Sequence, residues 1–175
     1  MTEPVNWPAL IGEMAIVKGE IDQLDPEQLE EFTSPRVKAD PADVAAFERA
    51  WGEMLPLEYR NFLLHANGWP RFYFQMTLFG LPELQGEGDA PTGSRILQVY
   101  DEEGVLEDLG LTSDGVLVVG AGTGMRDLFL LVRQGQPGAG QVSWLDGEEI
   151  DRYQDFAEFF ASMTEYARRR AQKLA

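Results

Sequence analysis

With 175 residues, 44% of them hydrophobic and 11% aromatic, the chain is sized for about one domain, and it can bury ~70% of its unfolded surface without a metal or a disulfide. The absence of cysteine excludes a disulfide scaffold, a thiolate zinc site, a cysteine nucleophile and an iron–sulfur cluster. Fourteen Lys and Arg against 30 Asp and Glu leave a net charge of −16 and a pI near 4.3, the wrong sign for direct binding to nucleic acid or anionic lipid.

The start, MTEPVNWPAL, lacks a basic region followed by an apolar one, and no apolar run approaches the ~18 residues of a membrane span. The expectation is a soluble, cytoplasmic protein with no membrane partner. NWPALIGEMAIVKGEI predicts a helix, with Asn6 as N-cap, Pro8 in the first turn, and Leu10, Ile11, Met14, Val17 and Ile21 at helical spacing. DPEQLEEF repeats that start grammar at Asp25-Pro26, and TSPRVKADP reads as a connector.

Helix signals return at Asp40-Pro41, where Val44, Phe47 and Trp51 form a stripe that stops near Gly52. A second helix starts at Pro56, carries Tyr59, Phe62, Leu63 and Ala66 on one face, and is expected to end at Asn67-Gly68. WPRFYFQMTLFG is aromatic and β-prone, and LPELQGEGDAPTGS reads as a glycine-, proline- and acid-rich loop. RILQVY fits either a strand or the start of a helix running into DEEGVLEDLG, because periodicity does not separate the two. GVLVVG, DLFLLV and GQVSWL are strands, joined by connections too short for a parallel crossover, so they form an antiparallel meander. EIDRYQDFAEFFASMTEYARRRAQKL predicts a closing helix, with Tyr153, Phe156, Phe159, Phe160, Met163 and Tyr166 on one stripe and Arg168, Arg169 and Arg170 near its C-terminus. The fold class is α+β: N-terminal helices, an antiparallel sheet of about four to six strands, and a C-terminal helix packed on it. Trp51, Phe62 and Phe159 are expected in the core.

Candidate chemistry is sparse. Gly120, Gly122 and Gly124 invite a dinucleotide reading, yet the third glycine of the fingerprint would fall at Met125 and the following segment is a strand, so a flexible hairpin loop accounts for them better. His65 is the sole histidine and lacks any recognisable nucleophile partner, which leaves it a structural or capping role. No calcium loop is present, and no enzyme, cofactor or metal is expected. What stands out is charge. Residues 83 to 108 hold eight acids (Glu83, Glu87, Asp89, Asp101, Glu102, Glu103, Glu107, Asp108) against Arg95 alone, a net of −7. Such a patch steers a basic protein toward it. The candidate partner-binding set is Glu83, Glu87, Asp89, Asp101, Glu102, Glu103 and Glu107, with Trp69 and Tyr73 as nearby aromatic anchors.

Phe47-Glu48, Trp51-Gly52, Leu55-Pro56, Tyr59, Phe62-Leu63, Asn67-Gly68 and Leu78-Phe79-Gly80-Leu81 together resemble the SUKH superfamily, the bacterial immunity proteins related to the yeast cell-wall regulator Knr. GVLVVGAGTGMRDLFLLV is similar to that family's glycine-interrupted hairpin, and QVSWLDGEE with DFAEFFASM is similar to its last strand and closing helix. The resemblance runs from about residue 40 to 167. It implies a helical extension over residues 1–39 ahead of a SUKH-like domain over 40–175. It also implies a non-enzymatic immunity protein that neutralises a cognate toxin, basic and nuclease-like, by binding it. A regulatory or scaffold role with a housekeeping partner is the alternative within the same superfamily.

Overall fold

A computed structural model describes residues 3–175. Helix α1 (Trp7–Leu24) begins where the Asn6 side chain accepts a hydrogen bond from the Ala9 N–H at 3.1 Å. Its Trp7, Met14, Val17 and Ile21 turn inward, while Leu10 and Ile11 are only half-buried. The start signal at Asp25-Pro26 is not followed by a helix. Asp25 closes α1 instead, and its carboxylate accepts from the backbone N–H groups of Glu27 and Leu29, which holds the next residues in a turn.

Helix α2 (Pro41–Trp51) is capped by the Asp40 carboxylate and ends at Gly52, whose φ of +94° supplies the left-handed stop. Helix α3 (Leu57–Leu63) stops short of Asn67-Gly68, contrary to expectation. Its Leu63 carbonyl is taken by the Ala39 N–H, while the Asn67 N–H donates to Val37 and the Arg36 N–H to Gly68, so the connector 36–39 competes successfully for the helix end. Gly68, at φ +86°, turns the chain into the sheet rather than ending a helix.

Six strands follow in one antiparallel sheet whose spatial order is the chain order: β1 (Trp69–Tyr73), β2 (Met76–Leu78), β3 (Val116–Gly122), β4 (Leu128–Val132), β5 (Val142–Asp146) and β6 (Glu148–Tyr153). The meander is as expected in its middle, and its ends add two corrections. Residues 81–94 are not one loop: they hold α4 (Leu81–Leu84) and the start of α5 (Ala90–Glu102), with only 85–89 between them, and RILQVY is helical. Proline is tolerated in a helix's first turn, and Gly93 is selected by contact, since a Cβ there would lie 2.9 Å from Val118. A short helix α6 (Val105–Asp108) follows Gly104, and a single 3-10 turn leads into β3. At the other end, EIDRY belongs to β6, and Tyr153 lies on a strand rather than on the helical stripe. Helix α7 (Phe156–Leu174) starts only after Asp155, whose carboxylate accepts from the Glu158 N–H at 2.8 Å.

Alternation along β4 sends Phe129 and Leu131 to one face and Leu128, Leu130 and Val132 to the other. The first face meets α1, α2, α3 and α7 in an aromatic core, where Trp7 packs at 5.5 Å from both Phe62 and Phe160 and Phe129 at 4.8 Å from Phe159. The second meets α5 and α6 through Tyr100, Leu106 and Leu111. A bulge between Val118 and Gly120 flips the alternation in β3, so that Leu117 and Val119 face the first core and Ala121 the second. Phe62 and Phe159 are fully buried; Trp51 is half-buried at the rim, covered by the Arg133 guanidinium 4.5 Å above its ring.

A buried ionic cluster fastens residues 7–30 to this framework. Lys18 lies 3.3 Å from the Glu30 carboxylate and donates to the carbonyls of Arg71 and Phe72, while Arg170 of α7 reaches both Asp25 and Glu30. Burial pulls the Lys18 ammonium below its ordinary pKa, with Glu30 opposing that pull.

Candidate functional site

The acidic residues of 83–108 do not all reach one surface. On α5, the inward phase is taken by Gly93 and Tyr100, so Asp101, Glu102 and Glu103 point outward and are exposed. On α6, Leu106 plugs the core and leaves Glu107 and Asp108 exposed. Glu87 is exposed in the turn before α5. None of these six carboxylates has an ion-pair partner among the described residues, so their charge is uncompensated locally. Asp89 is half-buried and partly engaged, accepting from the Thr77 hydroxyl at 2.9 Å and the Thr123 hydroxyl at 3.4 Å.

Three members of the expected set lie elsewhere. Glu83 is buried: its Oε1 is 2.7 Å from Arg36 and accepts from the Gly80 N–H, a structural clamp between the connector and α4. Trp69 is fully buried against Phe72 and Phe160, with its indole N–H donating to Thr33. Tyr73 is half-buried on the α7 side of the sheet, edge-on to Trp144 at 5.6 Å, and so lies on the opposite face from α5. Burial pushes its hydroxyl up to about 12, with the Asp127 charge adding to the effect. Charge density along a sequence does not distinguish the outward carboxylates from the clamped Glu83, and nearness in sequence does not put Trp69 and Tyr73 on the acidic side of the sheet.

Beside the acidic residues lies a groove of about 330 Å³, which the sequence reading missed. One wall is α5, through Arg95, Ile96 and Val99, with Glu103 just past its end; the other is the β3–β4 loop, through Met125 and Arg126, and the β5–β6 turn at Gly147. Tyr100 forms the base. Its hydroxyl donates to the Arg126 carbonyl at 2.8 Å and accepts from the Gly147 N–H at 2.7 Å, fixing both loops to the helix. Burial raises the Tyr100 pKa, so the hydroxyl stays protonated and keeps donating. The Arg126 side chain is largely exposed and pairs with Asp146 at 3.5 Å. The sequence signal for this groove was Val99, an apolar side chain out of phase with its helix's buried face, visible only once 90–102 is read as helix.

The remaining candidates settle into the framework. His65 is exposed, with Nδ1 2.8 Å from the Asn61 carbonyl one turn back. Gly120 and Gly122 are residues of β3 rather than of a loop; a Cβ at the first would strike the Phe129 ring and at the second the Gln75 backbone. Asp127 is a buried carboxylate that accepts from the Trp144 indole N–H at 2.8 Å; burial raises its pKa and that hydrogen bond opposes the rise. Among the described residues no cluster of three or more His, Asp or Glu is placed to hold a metal ion. No helix among them is long and apolar enough to cross a membrane.

These features define an α+β module: a six-stranded meander with an aromatic helical layer behind it and an acidic helical pair in front. Residues 38–162 match the SMI1 / KNR4 family (SUKH-1), and the chain belongs to that family, which places it among protein-binding modules. A comparison with curated proteins finds no match.

Proposed function

We propose that this protein is an immunity protein that neutralises a basic, nuclease-like bacterial toxin in the cytoplasm by direct binding through the α5–α6 face. The observation that carries the reading is the set of exposed carboxylates with no ion-pair partner among the described residues, borne on α5, α6 and the turns beside them: Glu87, Asp101, Glu102, Glu103, Glu107 and Asp108. Uncompensated charge of one sign accelerates encounter with a surface of the other sign, and salt weakens it. Membership in a family of protein-binding modules supports the same reading. Blocking access to a toxin's substrate groove needs only occupancy, and no chemistry is required of this chain.

A tagged copy, captured from its native host at low salt, is expected to retain one basic protein that salt releases. Reversing Glu102, Glu103 and Glu107 to lysine should slow association with that partner about tenfold or more while leaving the fold intact. If the triple variant associates as fast as wild type, the α5–α6 face is not the binding surface. Retention of housekeeping proteins alone would favour a regulatory role of the Smi/Knr type.

A further inference from the structure

The groove beside α5 is a concave, mainly apolar feature bordering the acidic residues, and its chemistry differs from theirs. Val99 is 45% exposed amid charged neighbours, and Ile96, Met125 and the Tyr100 ring extend the apolar floor. Two cations, Arg95 and Arg126, stand at its margin. A guest lysine or arginine would meet two like charges there against the single carboxylate of Glu103. An aromatic ring would instead find an apolar floor under one face and guanidinium groups able to lie against the other. The same molecule makes that contact three times, with Arg133 over Trp51, Arg169 over Tyr166 and Arg170 over Phe74, at 4.5 to 5.0 Å. The largely exposed Arg126 side chain can lie over a guest, since among the described residues its ion-pair partner is Asp146 at 3.5 Å.

We infer that this groove is an anchor pocket for one aromatic side chain of the protein partner, carried on a basic segment whose charges meet Glu102, Glu103 and Glu107 around it. The inference rests on the reading of the α5–α6 face as the partner surface. Binding energy at interfaces concentrates in such central, desolvated anchors, with charged residues around them excluding water and setting the encounter rate. The pocket is formed before binding, since the two hydrogen bonds of Tyr100 fix its walls and little ordering remains to oppose association.

Two blocked peptides, Lys-Lys-Trp-Lys-Lys and Lys-Lys-Ala-Lys-Lys, titrated at low salt into the full chain labelled at its methyl groups, test this. The tryptophan peptide should bind about tenfold more tightly or better, as expected of an anchor residue, with shifts at the Ile96, Val99 and Met125 methyls. Val99→Ser, at an exposed helical position, should erase that preference and leave the alanine peptide's affinity unchanged. Equal affinity of the two peptides overturns the anchor pocket while leaving the acidic face standing. A tryptophan preference that survives Val99→Ser, with shifts elsewhere, places the anchor outside this groove and also overturns it. If neither peptide binds, the acidic face falls as a surface for basic partners, and the pocket with it.

Discussion

The two sides of the sheet are built to different rules. Behind it, α1, α3 and α7 bury Trp7, Tyr59, Phe62, Phe156, Phe159 and Phe160 in one mutually packed aromatic cluster. In front, α5 and the single-turn α6 cover mostly aliphatic side chains together with Phe79 and Tyr100, and leave uncompensated carboxylates outside. The difference separates two tasks: cohesion is concentrated on one face, so the other tolerates mutual repulsion among like charges. Sixteen excess negative charges are a cost to the compact state. That cost is bearable because the carboxylates on the front face lie away from the layer that supplies most of the burial.

The sharpest way to break this comparison is truncation on each side. Phe160→Ala should cost about 3–5 kcal/mol and Leu106→Ala about 2–3, since α6 is one turn with room to collapse into the gap. Urea denaturation measures both, and the reverse order would show that the front layer carries the stability. Next in size is the ionic cluster behind the sheet. Glu30→Ala should cost about 3 kcal/mol by leaving buried Lys18 without its carboxylate, whereas Lys18→Met with Glu30→Leu should come close to neutral. A double variant as damaged as the single one would mean that the other bonds of the cluster decide, those of Lys18 to the Arg71 and Phe72 carbonyls and those of Glu30 to Arg170 and the Phe74 N–H.

Smaller effects probe the joints between the layers. Gly68→Ala should cost more than ~1 kcal/mol, because φ is +86° and the new Cβ would sit 2.5 Å from the Gly80 nitrogen. Gly124→Ala, at φ +76° with open space around it, should cost only about 1 kcal/mol, and equal losses would remove the steric argument. Alkaline pH should weaken the fold through its buried tyrosines. Burial raises the Tyr73 and Tyr153 hydroxyls from 10.0 to about 12, so the folded state holds protons that the unfolded chain releases. The stability involved is complete below pH 10 and is lost as pH rises toward 12. Lys18, shifted downward, works in the opposite sense by recovering its burial cost as pH rises toward 10.5. Melting temperatures of Tyr73→Phe should match wild type at pH 8 and fall less by pH 11. Smallest per site, the reversals at Glu102, Glu103 and Glu107 should each change stability by about 0.5 kcal/mol or less, as exposed substitutions do.

What the sequence revealed follows the same division. β3, β4 and β5 were legible because sheet strands covered on both faces read as continuous apolar runs between glycine turns. β6 was hidden because it is an edge strand with one fully buried side chain, Tyr153, whose spacing to Phe156 imitates a helix. The start of α5 was hidden by Pro91 and Gly93, residues that usually signal turns and here serve a first turn and a close contact with β3. In the candidate site, outward carboxylates on α5 and α6 could be counted from sequence. The withdrawal of Glu83 into its clamp with Arg36 depends on a residue 47 positions away, and no local pattern encodes that meeting.

The pairing of α1 with α7 has a consequence for how the protein is made. The apolar stripe of Trp7, Met14, Val17 and Ile21 has its main counterpart in the last helix, so on the ribosome it must wait, exposed, until nearly the whole domain has been synthesised. The meander and α5 can condense as they emerge, since each strand pairs with a sequence neighbour. Sealing of the aromatic layer is therefore a late event in the life of each new chain, and α1 is the segment most exposed to chaperones and proteases in the interval.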